Sequence, residues 1–292
     1  MPLKLQHVSA DTAPSAVAST AGPTIGQAAT AWRKLFARLR AAGRSRFAGA
    51  CALCARTGPH LLCPGCNADF FGAVRPRCRC CALPVHLSLP AAMPVPTAAT
   101  VPALCGRCLR QPPAFDATVV ATDYTAPIDR LVLELKFGAR LALATLFAER
   151  LHAALAAATA SSPDDRAALP LPACLTAVPL GLQRLQQRGF NQALEIARPL
   201  AKTLDVTLAP RMLVRCRETA AQARLSPAER HQNLRGAFIL APEWLARVRG
   251  CHVGVVDDVM TTGQTLNETA ATLKRFGAAR VTNLVFARTL PK

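Results

Sequence analysis

The sequence predicts an α/β fold, in which a parallel sheet carries helices on both faces, preceded by a small cysteine-rich module. From residue 115 onward, short apolar segments alternate with longer segments of helical periodicity, which is the pattern of strands joined by helices. Residues 252–256 are almost entirely apolar, as expected of a strand that is buried on both faces. Nine of the twelve cysteines lie between residues 51 and 108, and they set the module apart.

Length and composition limit the class of protein. A chain of 292 residues is long enough for one domain of ordinary size and one small module. With 51% hydrophobic and 18% charged residues, the protein is expected to be globular. We find no uninterrupted apolar run of about eighteen residues and no secretory signal. We therefore expect a cytoplasmic protein without a transmembrane segment, with peripheral contact to the inner face of the membrane as the alternative.

The chain is predicted to have three parts. Residues 1–48 are rich in small residues and proline, and are expected to be a disordered tail. The tail includes a short basic amphipathic helix, since apolar residues recur at helical spacing from residue 32 to residue 39. Residues 49–114 form the cysteine module, interrupted by a proline- and alanine-rich insert at 87–103. Residues 115–292 form the α/β domain.

Periodicity and turn residues place the elements of the α/β domain in alternating order. Strands are expected at 117–124, 175–178, 212–214, 252–256 and 281–287. Helices are expected at 128–135, 141–158, 191–204 and 265–276. A charged loop at 216–236 precedes the strand at 252–256. Ligands of parallel α/β sheets bind outside the carboxyl ends of the strands, so a site is expected at that edge.

Two adjacent acids and a loop of small hydroxyl residues follow the strand at 252–256. The acids are Asp257 and Asp258, and the loop consists of Thr261, Thr262, Gly263, Gln264 and Thr265. Such a loop can bring several backbone N–H groups to one phosphate, and the N-terminus of the following helix adds positive potential. Adjacent carboxylates on an extended backbone point in opposite directions. One acid is therefore expected to reach a ribose hydroxyl or a magnesium ion, and the other to orient nearby groups.

Together, the acids and the loop resemble the signature of type I phosphoribosyltransferases that binds phosphoribosyl pyrophosphate (PRPP). The resemblance departs from the signature at Gly254, where a branched apolar residue is more usual. It implies a phosphoribosyltransferase-like sheet, PRPP held by the loop, and magnesium bound with PRPP. If the protein is an enzyme, the resemblance implies that Asp257 and Asp258 are its catalytic residues. We identify no acceptor pocket in the sequence, so catalysis stays an open question.

Further segments resemble the ComF (competence protein F) family. They are Leu135-Lys136-Phe137-Gly138, Ala177-Val178-Pro179-Leu180, Arg184, Arg188-Gly189-Phe190-Asn191-Gln192 and residues 215–236. The likeness spans about residues 50–292 and implies a PRPP-binding fold attached to a zinc module and linked to DNA uptake. Because guanidinium groups pair bidentately with phosphate, Arg184 and Arg188 are expected to contact the pyrophosphate, with a solvated surface position as the alternative. The arginine-rich loop is expected to close over PRPP, or to be an ordinary solvated loop.

The cysteine module is predicted to be a double zinc ribbon. Four Cys-x-x-Cys pairs supply eight thiolates, from Cys51, Cys54, Cys63, Cys66, Cys78, Cys81, Cys105 and Cys108. Two tetrahedral zinc sites of four thiolates each account for all eight. Sequential pairing, interleaved pairing, replacement of a ligand by Cys80, and an iron–sulfur cluster are the alternatives. We expect the module to have its own core, so that loss of zinc unfolds it and spares the larger domain.

Charge points to a polyanionic partner. The net charge is +18, and residues 1–115 alone carry +11. Since each neutralised phosphate releases counterions, this excess favours single-stranded DNA, with DNA-uptake proteins as further partners; free use of arginine by a GC-rich genome is the other explanation. The leading hypothesis is a PRPP-binding protein of DNA uptake. The alternatives are an active phosphoribosyltransferase of nucleotide or base metabolism with an unidentified acceptor, and a regulator that senses PRPP.

Overall fold

Five parallel strands form the central sheet in the computed structural model, which describes residues 49–72, 75–85, 104–160, 169–216 and 236–291. In spatial order the strands are β3 (Ala117–Asp123), β9 (Arg280–Arg288), β8 (His252–Met260), β4 (Cys174–Ala177) and β5 (Thr207–Leu208). Every neighbouring pair is parallel. The longest strands, β8 and β9, lie in the middle, where both faces of the sheet need cover.

Helices cover both faces of this sheet. One face carries α3 (Ile128–Phe137), α4 (Ala142–Ala160) and α6 (Gln192–Leu204), and the other carries α7 (Gln264–Arg275). The first core contains Phe147 and Phe286, whose rings stack with centroids 3.5 Å apart. The second core contains Val285 of β9, which packs with Leu266 and Leu273 of α7. The predicted α/β class, with helices on both faces of a parallel sheet, is therefore confirmed.

Gly254 lies in the buried middle of β8 and leaves room for a neighbouring side chain. A Cβ atom at this position would lie 2.4 Å from Cδ2 of Leu175 in β4 and 3.0 Å from Cγ of Pro172. Leu175 pairs with Gly254 across the two strands and is fully buried. The departure from the phosphoribosyltransferase signature therefore has a packing cause, because Leu175 and Pro172 fill the space of the usual branched side chain.

The cysteine module packs against both faces of the sheet. Its elements are β1 (Gly49–Ala50), β2 (Thr57–Gly58), α1 (Pro64–Phe71) and α2 (Gly106–Arg110). Leu62 and Cys66 belong to the core that contains Phe286, whereas Cys81 and Cys108 belong to the core that contains Val285. The expectation of a separate core is wrong: a module this small buries its apolar side chains against the sheet, and residues 49–292 cluster as one compact unit.

Several boundaries differ from those predicted. The periodicity missed α5 (Leu182–Arg188), the two-residue strand β5 and the antiparallel partner of β6 (Leu213–Arg215), which is β7 (Phe238–Leu240). β8 continues to Met260, so the two acids lie inside the strand rather than after it. The predicted tail at 1–48, the insert at 87–103 and most of the charged loop lie outside the described residues. Within the described part of the chain, we find no helix with the length and apolarity of a membrane span.

Candidate functional site

A cavity of about 280 Å³ opens at the carboxyl ends of β4 and β8. All nine residues predicted to bind PRPP or to act on it line this cavity: Arg184, Arg188, Asp257, Asp258, Thr261, Thr262, Gly263, Gln264 and Thr265. The arginines come from α5, and the other seven residues come from the end of β8 and the start of α7. The sheet therefore brings together two segments that are about seventy residues apart in sequence, at the edge where α/β proteins bind ligands.

The loop at 261–265 forms one wall of the cavity and leads directly into α7. Gly263 is the N-cap of that helix and has φ of +80°, a left-handed conformation that favours glycine. A Cβ atom on Gly263 would also lie 2.4 Å from Cε of Met260. Backbone N–H groups in the first turn of a helix have no acceptor within the helix, so this wall suits an anionic oxygen.

Asp258 forms a buried ion pair with Lys136 at the base of the cavity. The Lys136 Nζ atom, in the last turn of α3, lies 2.8 Å from Oδ2 of Asp258. Asp258 is only 8% exposed, and its Oδ1 accepts a hydrogen bond of 2.8 Å from the Val259 backbone N–H. Removing one partner of a buried pair leaves an uncompensated charge, at a cost of about 3–5 kcal/mol. Lys136 thus holds α3 and β8 together at the site.

Asp257, the other acid of the pair, lies in an environment that disfavours its ionised form. Burial raises the pKa of Asp257 well above its ordinary value, and the charge of Asp258 raises it further. A hydrogen bond of 2.9 Å from the Asp258 backbone N–H and the charge of Lys136 act in the opposite direction without cancelling the rise. A cation bound beside the acids would offset this penalty. Carboxylate oxygens are the ligands that magnesium prefers, so the pair fits that ion.

The segment from Arg188 to Asn191 is a tight connection between two helices. Gly189 ends α5 in a left-handed conformation with φ of +76°. Asn191 then caps α6: its Oδ1 accepts from the Ala193 N–H, while its Nδ2 donates to the Val178 carbonyl oxygen at 3.0 Å. This second bond ties the turn to the end of β4. The sequence motif therefore has a geometric role, which is to fix the last turn of α5 at the mouth of the cavity.

Arg188 is the better supported of the two arginines as an anion ligand. Its guanidinium group lies 5.1 Å from the Phe137 ring centroid, and its Nη1 donates to Oε1 of Gln192 at 2.9 Å. Burial lowers the pKa of Arg188; the charge of Asp258 opposes this shift, and that of Arg184 adds to it. Two cations on one short helix repel each other, and an anion between them would relieve the repulsion.

Other polar residues also line the cavity. Tyr124 was not singled out from the sequence, Lys136, Asn191 and Gln192 were noted only as parts of the ComF-like segments, and Arg215 was predicted as part of the loop that closes over PRPP. Gln192 is almost fully buried, and its Nε2 atom lacks a hydrogen-bond partner within the described residues. The sequence signal for Gln192 was its place at the end of the segment Arg188-Gly189-Phe190-Asn191-Gln192 that resembles the ComF family. Arg215 ends β6, and the rest of the predicted arginine-rich lid, 217–235, lies outside the described residues.

The eight predicted metal ligands form two separate groups of four. One group contains Cys51, Cys54, Cys63 and Cys66, and the other contains Cys78, Cys81, Cys105 and Cys108; we call them the first and second tetrads. Within each tetrad all Sγ atoms lie within 4.8 Å of one another. The Sγ atoms of Cys54 and Cys63 are 3.6 Å apart, close to the separation of about 3.8 Å that tetrahedral Zn–S bonds of about 2.3 Å require. This is the sequential grouping, and Cys80 lies outside it.

Backbone hydrogen bonds prepare one thiol in each tetrad to ionise. Burial raises the pKa of Cys51, but backbone hydrogen bonds from Cys54, Cys63 and Leu53 outweigh it and lower the pKa to about 6. In the second tetrad, burial raises the pKa of Cys105, but hydrogen bonds from the Cys108 backbone and from the thiols of Cys81, Cys108 and Cys78 outweigh it and lower that pKa to about 7. Burial has the opposite effect on Cys81 and raises its pKa to about 11. A divalent metal would stabilise the remaining thiolates, so both tetrads fit zinc.

The sheet, the loop and the paired acids define a phosphoribosyltransferase-like domain. Residues 191–290 match the family described as phosphoribosyl transferase domain. The chain is 37% identical over 246 residues to a Salmonella typhi protein named DNA utilization protein YhgH, covering 83% of this chain and 91% of that protein. It is 34% identical over 180 residues to Competence protein F of Haemophilus influenzae, covering 61% of this chain and 75% of that protein. The chain belongs to the ComF family.

The tetrads should hold about two zinc ions per chain, as expected if each binds one tetrahedral zinc. Cys51→Ser should lower the content to about one. Because the first tetrad shares a core with the sheet, this loss should lower the melting temperature of the whole unit and should not create a separate early transition. Metal analysis and circular dichroism during heating would measure both effects, with Cys216→Ser as the matched control outside the tetrads. Two independent transitions would contradict the shared core.

Asp257→Asn should stabilise the protein near neutral pH. The folded-state pKa of Asp257 lies above its unfolded value, so its ionised form costs stability, which returns as the pH falls and the carboxyl takes up a proton. The melting temperature of the variant should exceed that of wild type at about pH 8, and the difference should shrink toward about pH 5. Asp69→Asn, at an exposed acid of α1, is the control. A difference that grows as the pH falls would refute the raised pKa.

Proposed function

We propose that this protein binds PRPP with magnesium in the cavity at the end of β8, and that it acts in DNA uptake by holding single-stranded DNA on its basic cysteine module. The cavity is the observation that supports PRPP binding, because one wall is acidic and the others offer groups that bind phosphate. The paired acids of β8 lie in one wall, and the arginines of α5 and the loop at 261–265 lie in the others. PRPP presents hydroxyl groups between a phosphate and a pyrophosphate, and thus matches this arrangement.

Each part of PRPP has a matching set of side chains in this proposal. The 5-phosphate accepts hydrogen bonds from the loop at 261–265, where the start of α7 contributes positive potential. Asp257 and Asp258 face the ribose hydroxyls, as acceptors or through the ion. Arg184 and Arg188 bind the pyrophosphate, and the buried Nε2 of Gln192 supplies a further donor. Magnesium, when bound, neutralises the charge of the pyrophosphate and of the acid pair.

A second candidate function is phosphoribosyl transfer from PRPP. The position of the acids favours it, because carboxylates beside the ribose would stabilise the positive charge that develops at C1 as pyrophosphate leaves. A nitrogen nucleophile of the acceptor would then form the new bond to C1. An acceptor screen that follows pyrophosphate release, with and without single-stranded DNA, separates this enzyme from a protein that only binds or senses PRPP.

The DNA part of the proposal rests on two observations. Relatives of this chain carry the names DNA utilization protein YhgH and Competence protein F. In addition, the cysteine module exposes arginines, among them Arg56, Arg79 and Arg110. Arg77, by contrast, is turned toward the protein and is less available for DNA contact. Its Nη1 lies 2.8 Å from Oδ1 of Asp123 and donates to the Ala82 carbonyl oxygen, so it fastens the module to β3.

PRPP affinity should depend on the acids, the loop and the arginines in different ways. Asp258→Asn and Thr262→Val should each weaken binding of magnesium–PRPP by about tenfold or more, since each loses a charge-assisted hydrogen bond of about 1.5–3 kcal/mol. Arg188→Lys should weaken PRPP binding more than binding of ribose 5-phosphate, which has no pyrophosphate. Calorimetry measures all three, with Thr207→Val at an exposed strand position as the matched control. Unchanged affinity in Asp258→Asn and Thr262→Val would defeat the site assignment.

Single-stranded DNA should bind through the exposed arginines of the module. Replacing Arg56, Arg79 and Arg110 together with Ala should lower the affinity and flatten its salt dependence by about 0.7 for each phosphate that the protein no longer neutralises. A matched triple variant, with Ala at the exposed Arg198, Arg211 and Arg249 of the α/β domain, removes the same charge elsewhere. Fluorescence anisotropy across a salt series compares the two proteins at equal zinc content. Equal reductions in affinity in both would mean that net charge, and not the module, holds the DNA.

A further inference from the structure

Arg288 is a buried cation that contacts both the cysteine module and the loop at 261–265. It is the last residue of β9 and is 2% exposed. Its Nε donates to the carbonyl oxygen of Cys81, a member of the second tetrad, at 3.1 Å. Its Nη1 lies 2.9 Å from the Met260 carbonyl oxygen and also contacts the carbonyl oxygen of Thr261. One rigid guanidinium group therefore joins a predicted metal ligand to the first residue of the loop.

The space behind the loop at 261–265 is partly open. A second cavity of about 550 Å³ lies there, lined by residues that include Cys81, Cys108, Thr262, Gly263 and Arg288. Arg107, which lies between two ligands of the second tetrad, has its Nη2 at 3.5 Å from the Thr262 carbonyl oxygen. Arg288 and Arg107 are thus two side chains that reach from the side of the second tetrad to carbonyl oxygens at the start of the loop.

We propose that Arg288 is a positioning residue that links metal occupancy of the second tetrad to PRPP affinity through the loop at 261–265. The inference rests on the proposed PRPP site and adds a regulation that the site alone does not imply. With metal bound, the Cys81 carbonyl oxygen is fixed and holds the Arg288 fork against the carbonyl oxygens of Met260 and Thr261. Without metal, the segment that carries Cys81 loses its cross-link, and the fork loses one of its fixed acceptors.

Electrostatics act in the same direction as the geometry. Four thiolates around one divalent zinc leave a net negative charge, and Arg288 is a buried cation next to it. The metal-thiolate centre therefore compensates a charge that the core would otherwise hold at a cost. The first tetrad packs on the opposite face of the sheet and offers no comparable support to the loop.

Coupling between two sites is reciprocal, which gives a direct test. Magnesium–PRPP should slow the loss of one zinc per chain to a colorimetric chelator and leave the other unchanged. Arg288→Lys keeps the charge but loses the planar fork. We expect this variant to keep its zinc and to bind PRPP about tenfold more weakly. Magnesium–PRPP should no longer slow the loss of zinc from its second tetrad. Arg280→Lys, at the opposite end of the same strand, is the matched control and should behave as wild type.

The outcomes separate this inference from the proposed function. If wild type shows no binding of PRPP by calorimetry, the proposed site itself fails. If wild type binds PRPP and both zinc ions leave at their original rates, the site stands and the coupling is refuted. The coupling is also refuted if Arg288→Lys binds PRPP as tightly as wild type and PRPP still slows zinc loss from its second tetrad. If Arg288→Lys does not fold, the zinc-release measurement on wild type still decides, and PRPP affinity that falls further in Cys105→Ser than in Cys51→Ser is the second readout.

Discussion

The cost of holding two adjacent carboxylates in the central strand governs the arrangement of the candidate site. β8 has neighbours on both sides and helices on both faces, so Asp258 is buried and Asp257 is only partly exposed to water. The chain offsets this cost with Lys136, 2.8 Å from Asp258, and with the arginines of α5 at the mouth of the cavity. Acidic and basic side chains therefore lie next to each other at the site. In a low dielectric these charges attract each other strongly, and a charge without a partner destabilises the fold.

The positions of the two tetrads explain how the small cysteine module stays attached to the large sheet. Each tetrad brings apolar neighbours to a different face: the first packs near Phe286, and the second near Val285. The side chains at these two adjacent positions of β9 point in opposite directions, so one strand serves both attachments. Arg77 adds a polar tie to Asp123 at the end of β3. Apolar packing on both faces and an ion pair together make the module part of the domain.

Much of the fold could be predicted because the sheet and its long helices follow local periodicity. The strands around β8 and the helices α3, α4, α6 and α7 appear where apolar spacing places them, within a few residues. The loop at 261–265 could be identified because its residues are adjacent in sequence. The missed features depend on distant contacts: Lys136 meets Asp258 across more than one hundred residues, and α5 is too short to show a period. The shared core was missed for the same reason, since it exists only after Phe286 meets the module.

The position of β9 has a consequence for how the chain is made. Synthesis proceeds from the N-terminus, so the cysteine segments emerge long before β9, the strand that their apolar side chains contact. The sheet also lacks its second strand until β9 is complete, because β9 separates β3 from β8. The apolar side chains that pack on β9 therefore stay exposed until that strand has been made. Metal captured early by the cysteines would keep that segment ordered until then, and a chain that stopped before residue 280 would retain only β8, β4 and β5 of the sheet, without the strand that joins them to β3.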